Sequence, residues 1–149
     1  MVTKAKKQRQ NKNDKKLAAT VNTDIQTSTR CAVEFTETFA GWWETLSEAD
    51  QIKVDVIVTL LEELGLTLRS PYSSKIKGGK KYSHIRELRV QSAQGHPYRI
   101  LYAFDPTRTA ILLTGGNKTG NKRWYETHIR IAEKEYEIHL SELRKGGRT

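Results

Sequence analysis

The stretch that most constrains this chain runs from Ile85 to Tyr125, where three short apolar runs are separated by turn-forming Gly, Pro and Asp residues. The runs at 85–90, 98–104 and 109–114 are rich in β-branched and aromatic residues, which favours β-strands. Consecutive strands joined by short turns usually pair as neighbours, so the segment predicts an antiparallel meander. Both faces of the last two strands carry apolar residues, which predicts that other elements cover each side of the sheet.

Two arginines, Arg89 and Arg99, lie within the first two predicted strands. If the hairpin is symmetric about its loop, they lie opposite or diagonal to each other on one face, because side chains alternate along a strand. Like charges in that arrangement repel, so the pair requires an anion. Two interpretations remain open: an ion network with Glu87 on the same face, or a surface that binds phosphate.

A glycine-rich segment follows the third strand, but Gly115, Gly116 and Gly120 do not have the spacing of a Walker loop. We expect Gly115 and Gly116 to let the strand turn. The free N–H groups at the start of the next helix would attract anions, although a solvated basic turn is the alternative. The turn places three cations beside that helix: Lys118, Lys122 and Arg123.

The elements before the meander are predicted to be a strand at Cys31–Phe35 and two helices that form a hairpin on the sheet. Thr36 or Thr38 caps the first helix, which carries Trp42 and Trp43. Ser47 caps the second, which ends at Gly65. On the second helix we expect a buried stripe of Ile52, Val56, Leu60 and Leu64, flanked by Ile57 and Leu61. We expect its acids Asp55, Glu62 and Glu63 to face outward.

The last helix is predicted over 122–143, with a buried stripe at helical spacing. Tyr125 begins this stripe and lies beside the basic turn, where a phenol is well placed for chemistry. His128, one turn further, is either a core residue or an acid-base candidate. The stripe comprises Tyr125, Ile129, Ala132, Tyr136, Leu140 and Leu143.

The connection from Leu66 to Ser83 is predicted to be a long loop in which lysines alternate with aromatic residues. It is either a solvated loop or an RNA-binding segment, because unstacked bases pack on rings while phosphates contact lysines. The cations that would contact RNA phosphates here are Lys80 and Lys81.

Charge is distributed unevenly along the 149 residues. Residues 69–130 carry thirteen Lys or Arg and three Asp or Glu. Residues 31–68 carry one Lys or Arg and eight Asp or Glu. A basic surface of this kind favours the binding of nucleic acid, although an acidic protein partner would be attracted by the same positive charge. The helical hairpin is therefore predicted to face away from the nucleic acid.

Length and composition predict one domain at 31–145, preceded by a disordered basic tail at 1–30. The single cysteine, Cys31, excludes an internal disulfide and agrees with a reducing compartment. No apolar stretch has the length of a membrane span or a secretory signal, so we expect a cytoplasmic protein without a membrane partner.

Several motifs resemble the HigB-like, phage-derived branch of the RelE/ParE toxin superfamily. They cover roughly residues 31–143, and the part from Glu87 to Tyr125 is the most specific. They are Val33-Glu-Phe35, Trp42-Trp43, Pro71-Tyr72, Ile76-Lys-Gly78, Glu87-Leu-Arg-Val90, Pro97-Tyr-Arg-Ile100, Ala103-Phe-Asp-Pro106, Gly115-Gly-x-Lys-Thr-Gly120, Arg123-Trp-Tyr125 and Ile131-Ala132.

The resemblance implies a RelE-like α+β fold: an N-terminal strand and helical hairpin packed on a small antiparallel meander, with a C-terminal helix. It also implies a type II toxin that a cognate antitoxin inhibits and, for many members, cleavage of mRNA on the ribosome without a metal or cofactor. In such cleavage a ribose 2′-OH attacks the adjacent phosphate.

The resemblance also suggests roles for individual residues. Arg99 takes the place of the arginine on the scissile phosphate, with Arg89 beside it. Lys118 and Arg123 match the basic turn, and Tyr125 approximates a tyrosine used in cleavage. One departure is Glu87, which stands where some relatives have a lysine. Either Glu87 is the base, or Lys81 or His84 replaces it, or the chemistry is weak or absent.

Two other functions share this scaffold and stay open from the sequence. A ParE-like toxin inhibits gyrase through protein contacts, and a degenerate module binds RNA or protein without catalysis. Fold alone does not decide between them.

Overall fold

The computed structural model describes residues 29–146. The predicted disordered tail lies almost wholly outside the described residues. Where the described chain begins, Thr29 donates from Oγ1 to the carbonyl oxygen of Glu63 (2.9 Å), and the Cys31 amide donates to that of Glu62 (3.0 Å). The chain therefore enters the domain along the end of a helix.

Within residues 29–146, five strands form one sheet with the helices α1, α2 and α3 on its faces, which confirms the predicted α+β layout. The strands are ordered β1-β5-β4-β3-β2, with β1 parallel to β5 and every other pair antiparallel. The elements are β1 (Val33–Phe35), α1 (Glu37–Glu44), α2 (Glu48–Leu64), a 3-10 turn (Gly65–Thr67), β2 (Ser73–Lys75), β3 (Arg86–Gln91), β4 (Pro97–Phe104), β5 (Ala110–Asn117) and α3 (Trp124–Lys145).

The predicted meander is confirmed as β3-β4-β5, but the predicted loop at 66–83 contains the short edge strand β2. Its three residues Ser-Ser-Lys are not typical of a strand. They adopt one because β3 offers a free edge, against which Ser73 lies opposite Leu88 and Ser74 opposite Glu87.

Side chains cap the first two helices as the sequence predicts. Thr36 Oγ1 accepts from the Phe39 amide at 3.0 Å, and Ser47 Oγ accepts from the Asp50 amide at 3.1 Å. Gly65 ends α2 with a φ of +53°, a left-handed conformation that glycine adopts without strain.

Apolar residues pack on both faces of the sheet, as predicted. On one face α1 and α2 contribute Phe39, Val54, Val58 and Leu61 to one core. On the other face α3 packs Trp124, Ile129, Ala132 and Tyr136 against Leu101, Ala103, Ile111 and Leu113.

The predicted buried stripe of α2 was wrong at Ile52, Val56 and Leu64, whereas Leu61 on its flank is buried as expected. Ile52 and Val56 are 59% and 56% exposed, and the buried residues are Val54, Val58 and Leu61. Both sets recur at helical spacing, so periodicity alone could not choose the face that meets the sheet. Glu62, expected to face solvent, is buried. Burial, and then the charge of Glu62, raises the pKa of Cys31 to about 12.

The last helix begins at Trp124 rather than at residue 122, and it ends at Lys145. Trp124, which the predicted stripe omitted, is only 2% exposed, whereas Tyr125 is partly buried. The indole therefore occupies the core, and the neighbouring phenol is left at the edge of the helix.

Gly115 and Gly116 do not turn the chain, which corrects the prediction. Both lie within β5, and the left-handed glycine of this segment is Gly120, with a φ of +65°. A Cβ at Gly115 would lie 2.4 Å from a ring carbon of Trp42, and one at Gly116 would lie 2.8 Å from Trp124 Nε1. The two glycines are needed because aromatic rings pack directly on the strand backbone.

We expect Gly115→Ala to destabilise the protein by about 1–3 kcal/mol, because the added methyl group overlaps the ring of Trp42. The control is Gly41→Ala on the exposed side of α1, where nothing lies within 4 Å of the added atom. There alanine should stabilise the helix by up to about 1 kcal/mol. Urea unfolding of the two variants measures the difference, and equal midpoints would contradict the close packing of Trp42 on β5.

Candidate functional site

The register of β3 and β4 places Arg89 directly opposite Arg99, as predicted. Both side chains lie on the sheet face that α3 covers, because they alternate with residues that pack against α1 and α2. Arg89 is 44% exposed and Arg99 is 16% exposed. The two guanidinium groups therefore lie on the same side of the sheet as α3, outside the apolar core between that helix and the sheet.

Glu87 provides the anion that this pair requires. Its Oε2 accepts from Arg89 Nε at 2.9 Å and from Ser74 Oγ at 3.0 Å. Arg99 Nε approaches the other oxygen, Oε1, at 3.8 Å. Glu87 is 3% exposed, so the carboxylate that pairs with both arginines is shielded from water. Of the two interpretations, the structure shows the ion network, and only part of the arginines' hydrogen-bonding capacity is used.

Tyr125 connects α3 to this network. Its hydroxyl donates to Glu87 Oε1 at 2.5 Å. Burial, followed by the hydrogen bond to Glu87, raises the pKa of Tyr125 above its ordinary value. The phenol is thus held protonated and pointing at the carboxylate between the arginines.

Lys118 reaches the same place from the end of β5. Its Nζ lies 5.5 Å from the centre of the Tyr125 ring, within the range of a cation–π contact. The Lys118 amide donates to the Pro97 carbonyl oxygen at 3.1 Å, which fixes the turn to the hairpin. Arg89, Arg99 and Lys118 therefore converge on one side of the sheet.

The remaining cations of the turn are exposed. Lys122 and Arg123 precede α3, and the guanidinium of Arg123 lies 3.9 Å from Glu126 in the first turn of the helix. The Arg123 amide donates to Asn121 Oδ1 at 3.0 Å. These two side chains border the network and are free to contact a longer polyanion.

The structure places the other predicted residues outside the network. His128 stacks on Trp124 with ring centres 4.1 Å apart, and its Nδ1–H donates to the Trp124 carbonyl oxygen at 2.9 Å. Lys81 forms an ion pair with Glu137 on α3. His84 Nε2 lies 3.2 Å from the Tyr136 hydroxyl. Of the alternative bases considered, Glu87 is therefore the one within the arginine cluster.

Sequence reasoning missed two residues that shape this region. Ser74 holds Glu87 from the unpredicted strand β2. Glu133 on α3 accepts the amides of Lys80, Lys81 and Tyr82 on one oxygen, at 2.9, 2.7 and 3.0 Å. No pattern in the neighbouring sequence predicts either residue, because the contacts of Ser74 with Glu87 and of Glu133 with the loop join segments that are distant in sequence.

The network combines groups that suit phosphate chemistry. Guanidinium groups bind phosphate oxygens through paired N–H donors. A carboxylate can accept a proton and a phenol can donate one. The arrangement can therefore bind a phosphodiester and carry out proton transfer beside it.

Two further findings concern the whole described part. Within residues 29–146 no group of three or more His, Cys, Asp or Glu side chains is arranged to hold a metal ion. None of the helices in that range is long and apolar enough to cross a membrane.

Residues 41–137 match the model of a family described as phage derived protein Gp49-like. Two curated proteins of Mycobacterium tuberculosis are similar in sequence. The chain is 40% identical over 107 residues to one named "Putative toxin HigB3", covering 71% of this chain and 90% of that protein. It is 34% identical over 108 residues to "Putative toxin HigB2", covering 72% of this chain and about half (53%) of that protein.

Two solved structures are similar to this chain at low sequence identity. One is a free double-arginine mutant of E. coli toxin RelE, with a TM-score of 0.49, 14% identity and coverage of 68% of this chain and 98% of the other. The second is the archaeal RelE-RelB complex from Pyrococcus horikoshii, with a TM-score of 0.45, 15% identity and coverage of 60% and 97%.

Proposed function

The chain belongs to the Gp49-like family of phage-derived proteins, and from that premise we propose that it is the toxin of a type II toxin-antitoxin system that cleaves mRNA on the ribosome. The observation that carries the proposal is the cluster of Arg89, Arg99, Glu87 and Tyr125 on one side of the sheet. The 40% identity between this chain and the protein named "Putative toxin HigB3" supports its assignment as a toxin of this class.

The proposed reaction needs no metal or cofactor. Glu87 accepts the proton of a ribose 2′-OH, whose oxygen attacks the adjacent phosphorus. Arg99 and Arg89 stabilise the negative charge that develops on the phosphorane. The bond to the 5′-oxygen breaks, Tyr125 donates its proton to that oxygen, and the products are a 2′,3′-cyclic phosphate and a 5′-hydroxyl.

The short contact between Tyr125 and Glu87 suits this cycle. After one turnover the carboxyl carries a proton and the phenol has lost one, and the 2.5 Å hydrogen bond between them allows direct return. A raised pKa of Tyr125 is compatible with donation, because the departing 5′-alkoxide is a far stronger base than a phenolate. His128 is a less favoured donor, since its ring stacks on Trp124 and its Nε2 lies against the backbone of Gly116 in β5.

The surrounding cations are proposed to position the RNA. Lys118 lies against Tyr125, and the exposed side chains of Lys122 and Arg123 continue the positive surface along the turn. Lys80 and Lys81 belong to the loop held by Glu133. Phosphate contacts of this kind give affinity without sequence preference.

A cognate antitoxin is the proposed protein partner, and the cytoplasm, where ribosomes translate mRNA, is the proposed location. The solved relative in complex with RelB illustrates such a pairing for that protein. We expect a gene for a small DNA-binding protein beside this one.

Primer extension on mRNA from cells expressing the full chain tests the proposal. Breaks that appear in translated messages and disappear when translation initiation is blocked support it. Inhibition of DNA supercoiling without breaks would instead indicate a gyrase inhibitor, and growth without either effect would indicate a non-catalytic binding module. Both results contradict the proposal.

We expect Tyr125→Phe to lower cleavage by at least about 100-fold, because the general acid is lost while the ring and its packing stay. The measurement is the rate of mRNA cleavage in a reconstituted translation system. Tyr72→Phe is the matched control, since Tyr72 is exposed and its hydroxyl has no proposed role. Equal rates for Tyr125→Phe and wild type would exclude Tyr125 as the proton donor.

A further inference from the structure

A pocket of about 340 Å³ borders Tyr125 between the loop at 77–80 and the first turns of α3. This volume is at the lower end of the range for small-ligand sites, roughly 300–1,000 Å³, and suits a single nucleotide. The residues that line it are Lys77, Gly78, Lys80, Tyr125, Glu126, Ile129, Arg130 and Glu133.

The lining combines cations with flat or apolar surface. Lys77, Lys80 and Arg130 are exposed, and none of them forms an ion pair with another residue in the range 29–146. Ile129 and the ring of Tyr125 supply apolar surface. Cations beside an aromatic ring and an aliphatic side chain are the elements that bind a phosphate and its base in single-stranded RNA.

The loop that forms one wall is held in place. Glu133 accepts three successive backbone amides, from Lys80 to Tyr82, on one carboxylate oxygen. Burial alone would raise the pKa of Glu133, but these three donors outweigh it and lower the pKa. The carboxylate therefore stays ionised and holds the loop, and the charge of the exposed Lys80 side chain also favours the ionised form.

Gly78 allows the loop to approach the helix. Its φ is +94°, which favours glycine, and an added Cβ would lie 3.8 Å from Ile129 Cδ1. The second acid of the pocket, Glu126, is 3.9 Å from the guanidinium of Arg123. The pocket is thus formed by a fixed loop on a rigid helix.

Tyr125 belongs to both the pocket and the arginine cluster. Its hydroxyl contacts Glu87 and its ring lines the pocket. A ligand in the pocket therefore lies one side chain away from Arg99. Successive nucleotides of one RNA strand are the ligand that naturally places a base and a neighbouring phosphate at such a separation.

We propose that this pocket binds one nucleotide of a single-stranded RNA, next to the phosphodiester held by Arg89 and Arg99; the proposal rests on the function proposed above. The lysines would contact the backbone of that nucleotide. The base would lie on Ile129 and the Tyr125 ring, with Arg130 at its edge.

The test compares two double variants of the full chain that change the net charge equally. Lys77→Glu with Arg130→Glu alters the pocket, and Lys53→Glu with Lys134→Glu alters exposed sites outside it. Fluorescence anisotropy measures the binding of a labelled octaribonucleotide and of an abasic ribose-phosphate octamer, at fixed ionic strength and without ribosomes.

We expect the wild type and the control to bind the octaribonucleotide at least about tenfold more tightly than the abasic octamer, because stacking contributes only when a base is present. In the pocket variant this ratio should fall below about twofold. An unchanged ratio in the pocket variant overturns the proposal. If, in addition, the pocket variant no longer co-purifies with an antitoxin, the pocket is a protein-binding surface, and the proposal is overturned.

The result is independent of the cleavage assay. If the wild type leaves mRNA intact while the pocket variant loses its preference for bases, the proposed cleavage function is wrong and the assignment of the pocket as a nucleotide site stands. If Arg99→Ala is inactive and the pocket variant keeps its preference, the pocket assignment alone is wrong.

Discussion

Replacing Arg99 with alanine is expected to abolish growth arrest and to lower mRNA cleavage by about 10²–10³-fold or more. Arg99 is the more buried arginine of the pair, and it lies opposite Arg89 with Glu87 between them. Donors aimed at the charge of a transition state typically contribute this much to a rate. Arg99 makes an ion pair at 3.8 Å, a hydrogen bond to the Tyr98 carbonyl oxygen and a contact with Tyr125, and none of these belongs to the apolar core, so its loss should leave the fold intact.

Arg144→Ala is the control for this prediction. It removes an exposed guanidinium from the last turn of α3, far along the helix from Tyr125. The measurements are growth after induction, soluble protein level and circular dichroism of each variant. An Arg99→Ala protein that still arrests growth at equal expression would refute the role assigned to Arg99.

The second large effect is expected at Glu87. Glu87→Gln keeps the shape of the side chain but removes its capacity to accept a proton, so cleavage should fall by about 10²–10⁴-fold. The amide oxygen can still accept hydrogen bonds from Arg89 and Ser74, and its NH2 group can donate to the Tyr125 hydroxyl oxygen, so the fold should survive. The cleavage rate in reconstituted translation measures the effect.

Glu87→Ala separates catalysis from stability. It leaves Arg89 and Arg99 facing each other without a carboxylate, and we expect a loss of about 3 kcal/mol in the free energy of unfolding. A Glu87→Gln protein that cleaves at the wild-type rate would show that Glu87 only positions the arginines. A parallel His84→Gln variant, outside the network, should cleave normally.

The three strands of the meander and their antiparallel pairing were predictable because the local signals agree with one another. Apolar runs, turn residues and alternation all place Arg89 and Arg99 on one face, and their register follows from the hairpin. The caps at Thr36 and Ser47 were also predictable, since a cap depends on neighbouring residues alone. The resemblance to HigB-like proteins, carried by motifs in the same stretch, is confirmed by the family match and by the two curated relatives.

The errors arose where tertiary contacts decide. Helix α2 carries apolar residues on more than one side, so only the sheet determines that Val58 is buried and Val56 is exposed. Gly115 and Gly116 look like turn residues, but their role depends on two rings, one from α1 and one from α3. The anchors Ser74 and Glu133 act across 13 and 53 residues, a range that no local pattern covers.

Family membership and fold narrow the function without defining its chemistry. The same scaffold supports protein binding, and a carboxylate that pairs with both arginines is compatible with a structural role. A nuclease differs from such a binding protein in one respect. In a nuclease, the guanidinium groups of Arg89 and Arg99 must act on a phosphodiester during bond cleavage.

The most direct measurement is the identity of the RNA ends after the purified chain acts on a ribosome-bound message. Attack of the ribose 2′-OH on the adjacent phosphate predicts a 2′,3′-cyclic phosphate on one fragment and a 5′-hydroxyl on the next. The wild type should produce these ends, and Arg99→Ala should not. An intact message, or the same ends from Arg99→Ala at an equal rate, would contradict the proposed active site.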